Sequence, residues 1–253
     1  MTGTKFTYRQ VSELTKQAAS TLKRMGVDQK DVIAIHLPNA PEYAPIFFGI
    51  QAAGGIATTV NTMFTADEIA NQLQDAGAKY IVSSSPLIDA AREGAAKASL
   101  PSDNVLDLAS LWDLVCKDDG SYLAQVHTTE NPSDEVTCLP YSSGTTGRPK
   151  GVMLTHTNFI AHAMILGNDK FMSKGPGVHQ RVMMALIPFF HIYGISGLIG
   201  TFLYLGTKLV CMQKFDPEMF LKIIEQEKVK CQYLTLIHKP YIFLFQVIEY
   251  LIV

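Results

Sequence analysis

Short β-rich runs and segments of helical period alternate along most of this chain, and that alternation restricts its fold more than any other feature. A first helix is expected over residues 8–25, where Val11, Leu14, Ala18, Ala19, Leu22 and Met25 recur at helical spacing and Gly26 supplies the stop. A β-rich run follows at 32–37 and ends at Pro38. Residues 41–53 are apolar nearly all round, the pattern of a helix buried between layers, and Gly54 and Gly55 close it. Thr65 opens the next helix, which reaches Asp75, as a capping box with Glu68. Strands are expected at 80–82 and around Val105, with a helix starting near Pro86 between them. Beyond these come strands at 136–140, 151–154, 182–186, 208–212 and 229–236, and helices at 158–166, 195–205 and 216–228, the last with Pro217 in its first turn. Strand and helix in turn predict an α/β fold: mostly parallel sheets layered with helices.

Between the strands expected at 136–140 and 151–154 lies the run YSSGTTGRPKG, residues 141–151. Glycine permits tight turns and close approach of the backbone to a ligand. Successive backbone N–H groups in such a loop form a concave anion site, to which hydroxyls add donors. Lys150 supplies a compact positive charge suited to phosphate. A flexible linker is the rival reading, but a linker gains nothing from ending in Arg-Pro-Lys-Gly and running into Val152, Met153 and Leu154. The run is not a Walker loop, because Gly144 and Gly147 are too close and Lys150 is followed by Gly151. A strand–loop–strand element is expected here.

YSSGTTGRPKGVMLTH resembles the signature loop of the adenylate-forming superfamily, which includes acyl- and aryl-CoA synthetases, 4-coumarate-CoA ligases, firefly luciferase-like enzymes and adenylation domains of peptide synthetases. Residues 26–61 resemble the upstream block of that family, and IPFFHIYG, residues 187–194, resembles its downstream aromatic-histidine block. The resemblance implies an AMP-forming acyl- or aryl-CoA ligase. A carboxylate attacks the α-phosphorus of ATP to give an acyl-adenylate and pyrophosphate, and the thiol of CoA then displaces AMP. It implies ATP, Mg²⁺ and CoA as cofactor and co-substrates, with a small-molecule carboxylic acid as the other substrate. Ser142, Ser143, Gly144, Thr145, Thr146, Gly147 and Lys150 would wrap the β- and γ-phosphates, with Arg148 steadying the loop or facing solvent. His191 would act near the carboxylate, where imidazole can hydrogen-bond or screen charge. Phe189, Phe190 and Tyr193 would line or gate the acyl pocket. A lone His among aromatics is ordinarily a satisfied core residue, and only the resemblance reverses that. Phe-His, in place of an Asp-containing block, resembles acyl- and aryl-CoA ligases and luciferases and not amino-acid adenylation domains. Asn39, Asn61, Gly54 and Gly55 are read as turn and packing geometry, His156 as helix entry, and His162 and His179 as surface residues.

Composition excludes other classes. The chain has 253 residues, 47% hydrophobic and 17% charged, enough to build a buried core. Its net charge of −2 and lack of a basic block argue against nucleic acid as a partner. Cys116, Cys138, Cys211 and Cys231 show no metal or redox spacing and are expected as reduced thiols, with no protein metal site. Residues 182–207 lack Lys, Arg, Asp and Glu, but Pro188, His191 and the glycines there argue for a strand, a loop and a buried helix instead of a transmembrane span.

The organisation expected is a first α/β subdomain at 1–175 carrying the phosphate loop, part of a second at 176–236, and a divergent apolar tail at 237–253. By resemblance the chain is an incomplete N-terminal domain of the adenylate-forming fold. It lacks the later family blocks for adenine, ribose and the adenylation lysine, so weak or absent activity is expected. Two rivals stand beside the ligase: a non-catalytic short form acting as a binding or regulatory module, with self-association through its apolar tail, and a luciferase-like oxygenase relative. The compartment expected is intracellular, cytoplasmic or peroxisomal, with no targeting signal visible.

Overall fold

A computed structural model of the protein describes residues 3–122, 131–142, 149–168, 180–227 and 229. Its centre is a six-stranded sheet in the order β4-β3-β1-β2-β5-β8. The strands are β1 (Val32–His36), β2 (Ile56–Thr59), β3 (Ala78–Ser83), β4 (Val105–Asp107), β5 (Val136–Leu139) and β8 (Leu154–Thr155). All neighbours are parallel except β5 and β8. Two short sheets complete the set: β6 (Tyr141–Ser142) antiparallel to β7 (Lys150–Gly151), and β9 (Val182–Ala185) parallel to β10 (Lys208–Cys211).

Alternation along β1 sorts the two faces of the large sheet. Ile33 and Ile35 join Ala18, Ala19 and Leu22 of α1 (Tyr8–Arg24) and Ile46, Phe47 and Ile50 of α2 (Tyr43–Ala52). Ala34 turns the other way, toward Ile69 and Leu73 of α3 (Ala66–Ala76) and Ala91 and Ala95 of α4 (Ile88–Lys97). The first of these cores does not end at the sheet. It runs on through Met183 and Ala185 of β9 to Phe189, Ile195, Leu198, Ile199 and Phe202, so the two main sheets share one hydrophobic interior.

Local chemistry accounts for the helix ends. Thr65 and Glu68 form the expected capping box, and Gly77 stops α3 in the left-handed conformation at φ 61°. Sequence reasoning missed α5 (Leu108–Lys117), although Asp107 signals it by accepting the N–H groups of Ala109 and Ser110. It also missed β2, whose β-branched Ile-Ala-Thr-Thr run is the middle of the sheet. Helix α6 (His156–Leu166) begins at another capping box, Thr155 with Asn158, and α7 (Pro217–Glu227) has Pro217 at its start as expected. The strand expected at 229–236 lies outside the described residues apart from Val229.

Two expectations need correction. The strand expected at 151–154 is two strands, β7 and β8, with Val152 and Met153 between them 42% and 71% exposed. Pro140 is the reason: having no N–H, it interrupts the partner strand between β5 and β6, so the returning chain pairs first with one and then with the other. The helix expected from 195 begins earlier and is a π-helix, Tyr193–Phe202, in which Thr201 Oγ1 donates to Ser196 O at 3.0 Å. Its predecessors 182–192 form β9 and a turn, so the uncharged stretch is not one long helix. Among the described residues no helix is long and apolar enough to cross a membrane.

Candidate functional site

The phosphate-loop run is entered from β5, the fifth strand of the central sheet. Beyond Pro140 the chain forms β6, and β7 returns antiparallel to it, with Tyr141 opposite Gly151 and Ser142 opposite Lys150. Strand–loop–strand is therefore the arrangement found. Ser142 and Lys150 face each other at the mouth of this hairpin and both are exposed. Ser143, Gly144, Thr145, Thr146 and Gly147 lie outside the described residues, as does Arg148.

The base of the hairpin is fastened by Tyr141. Its hydroxyl donates to Asp75 Oδ2 of α3 at 2.5 Å. Its ring lies so near Gly151 that a Cβ there would stand 3.3 Å from it, a tight contact that glycine avoids. Burial, and then the neighbouring Asp75 carboxylate, push the phenol well above its ordinary range. Tyr141 therefore stays protonated and remains a donor.

The second group of predicted residues forms a turn between β9 and the π-helix. Phe189 is a core residue, 2% exposed, set edge-to-face on Tyr43 with ring centroids 5.3 Å apart. Phe190 and Tyr193 are half-buried and His191 is exposed. The imidazole has a structural task as well: its Nδ1 accepts the Tyr193 N–H at 3.2 Å, while the His191 carbonyl accepts the Ile195 N–H at 3.1 Å. With Nδ1 accepting, the neutral tautomer carries its proton on Nε2.

Sequence reasoning missed what holds this turn. Asn39, read as turn geometry, is 5% exposed and makes three hydrogen bonds to it. Its Nδ2 donates to the carbonyls of Ala185 and Ile187, both at 2.9 Å, and its Oδ1 accepts the Phe189 N–H at 2.7 Å. From β2, Thr59 Oγ1 donates to Phe190 O at 2.6 Å, and its neighbour Thr58 Oγ1 donates to Leu139 O at 2.7 Å. The carboxyl end of β2 thus touches both the strand feeding the phosphate loop and the turn bearing His191. Such ends are where parallel α/β sheets ordinarily bind ligands.

A sequence model of the family described as "AMP-binding enzyme" matches residues 1–236. The chain belongs to that family. It is 36% identical over 244 residues to 4-coumarate–CoA ligase 1 of Petroselinum crispum, a match covering 90% of this chain and 42% of that one. Among solved structures it is similar to a long-chain-fatty-acid–CoA ligase (FadD1) from Archaeoglobus fulgidus, with a TM-score of 0.78 and 26% identity over 88% of this chain and 44% of that one. It is also similar to the inhibitor-bound N-terminal domain of FACL13 from Mycobacterium tuberculosis, with a TM-score of 0.75 and 26% identity over 91% and 56% of the two chains. The chain thus spans about two fifths of the length of the curated relative it matches. Residues 237–253, the apolar tail, fall outside the family match.

The remaining candidate residues have ordinary places. Asn61 Oδ1 accepts the Met63 N–H at 2.9 Å in a turn, as expected. His156 is the first residue of α6, and burial lowers its pKa. His162, expected at the surface, is half-buried on α6, and His179 lies outside the described residues. Cys138 is buried and its thiol pushed far up by desolvation, which makes it inert; burial takes Cys211 to about 12. Among the described residues no group of His, Cys, Asp or Glu is placed to hold a metal ion. A cavity of about 980 Å³ borders the site at Phe189 and Asn39 and continues to Val210 and Thr7.

Proposed function

We infer that this chain carries the phosphate-loop half of an AMP-forming acyl- or aryl-CoA ligase, which joins a carboxylic acid to CoA through an acyl-adenylate at the expense of ATP. The observation that carries the reading is the meeting of two motifs at one strand end, with Thr58 on the loop strand and Thr59 on the histidine turn. Family membership and likeness to CoA ligases supply the reaction class. Lys150 sets its ammonium against the triphosphate, and Ser142 with the loop hydroxyls and N–H groups holds the phosphate oxygens as charge spreads over them. Mg²⁺ would enter with the triphosphate and neutralise part of its charge. His191 presents Nε2–H to the carboxylate oxygen, orienting the acid, while Phe190 and Tyr193 border its apolar part.

Two substitutions test the reading on the whole chain. Lys150→Ala is expected to weaken Mg·ATP binding, read by calorimetry, about tenfold or more, in keeping with the loss of one charge-assisted contact to phosphate. Unchanged affinity sinks the assignment. His191→Ala is expected to lower the parent's acid-dependent pyrophosphate release while leaving Mg·ATP affinity within about twofold; equal release by both proteins, or none by the parent, counts against the assignment and leaves His191 only its bond to the Tyr193 N–H.

A further inference from the structure

The two threonines that end β2 are adjacent in sequence and point to opposite faces of the sheet. Thr58 pairs in register with Ala34 on the α3 side, and Thr59 with Ile35 on the side shared with β9. Both are buried, at 0% and 3% exposure. We propose that Thr58 and Thr59 are positioning residues acting separately on the two halves of the site, Thr58 on the phosphate-loop hairpin and Thr59 on the His191 turn. The assignment of a substrate to each half rests on the ligase reading above; the division of labour between the threonines does not.

The β2–β5 ladder ends at the pair Thr58–Leu139. The Thr58 hydroxyl adds a side-chain bond at that point, donating to Leu139 O at 2.7 Å and accepting from Gln72 Nε2 of α3 at 3.0 Å. Gln72 Nε2 also donates to Thr59 O at 3.0 Å. Three residues on, Asp75 holds Tyr141, so α3 and Thr58 together set the angle at which the chain enters the hairpin. Thr59 works on the other side. Its bond to Phe190 O at 2.6 Å fixes the peptide that leads directly into His191. Asn39 secures the earlier part of the turn, from Ala185 to Phe189, and leaves that last peptide to Thr59. Replacing either hydroxyl by a methyl keeps the shape but removes a donor to a backbone carbonyl where the fold has already excluded water.

Thr58→Val and Thr59→Val separate the two roles by amide hydrogen exchange on the whole chain. Thr58→Val is expected to speed exchange at Gly151 and Val152, whose N–H donates to Pro140 O, about fivefold or more, with Tyr193 and Ile195 within twofold of the parent. Thr59→Val is expected to do the reverse. Thr58→Ser and Thr59→Ser, which retain the donor, are expected to restore the parent rates and guard against a valine variant that simply folds poorly. Mg·ATP affinity should follow the first pattern, falling about three- to tenfold in Thr58→Val and less than twofold in Thr59→Val. Equal loosening of both segments in both variants, or none in either, overturns the proposal. A Lys150→Ala protein that binds Mg·ATP normally overturns the ligase reading instead, and the exchange pattern still decides the threonines.

Discussion

His36 shows how much one residue's environment decides. It ends β1 fully buried, with Nδ1 3.0 Å from Ser83 Oγ and Nε2 without a hydrogen-bond partner. Desolvation lowers its pKa from 6.5 to about 4. The unfolded chain therefore takes up a proton near pH 6.5 that the folded chain refuses until about pH 4. Over that window the unfolded state binds more protons, so stability is full above pH 6.5 and falls as pH drops, by on the order of 3 kcal/mol. His156, also lowered by burial, acts in the same direction. Urea midpoints at pH 7, 5.5 and 4.5 should decline in the parent, and His36→Asn should decline less. A midpoint independent of pH across this range contradicts the account. Nothing in the run Val-Ile-Ala-Ile-His marks this histidine as unusual, because its burial comes from β3 alongside, a strand placed by a crossover of some forty residues. Lys150 is the opposite case: its charge within a glycine- and hydroxyl-rich run points to phosphate whatever surrounds it.

At the scale of elements, the signals that proved readable were local ones. The box at Thr65 and Glu68, the stop at Gly26 and the start at Pro217 each concern atoms within a turn of one another. The π-helix was not readable in the same way, since its apolar residues fit an α-helical pattern equally well. At its start the preceding turn folds back closely on the helix: a Cβ on Gly194 would stand 2.1 Å from Pro188 O and 2.7 Å from Phe189 Cα. Gly194→Ala must therefore push the turn away from the helix. A loss of about 3 kcal/mol in chemical denaturation is expected, the upper end for overpacking. Gly197→Ala is the control, because its Cβ meets the Tyr193 ring at an ordinary 3.4 Å and alanine favours helix. Equal stability of the two variants would rule out the close approach as the reason for glycine. The split of β7 from β8 has a similar moral. Pro140 is plain in the sequence, but its effect appears only once the strand returning beside it is known.

For the whole molecule the decisive residue is Asn39, which joins the turn after β1 to the segment after β9 across some 150 residues of sequence. Asn39→Ala strands the Ile187 carbonyl and the Phe189 N–H in the shared core and leaves Ala185 O only its bond from the Met212 N–H, a loss of about 3 kcal/mol expected in denaturant melts. Asn39→Asp retains the acceptor for Phe189 N–H but no donor, so it should rescue little; full rescue would show that the two carbonyls find water instead. The sequence by itself determined the α/β class, the phosphate-loop hairpin and the family, because periodicity, capping and a contiguous motif are properties of neighbours along the chain. The tertiary structure alone decided that Asn39 and Thr59 bond the histidine turn and Thr58 the loop strand, that Phe189 is core while His191 is exposed, and that both main sheets share one interior. Those facts depend on hydrogen bonds and burial between residues far apart in sequence, and a buried polar group takes its role from whichever partner the fold brings to it.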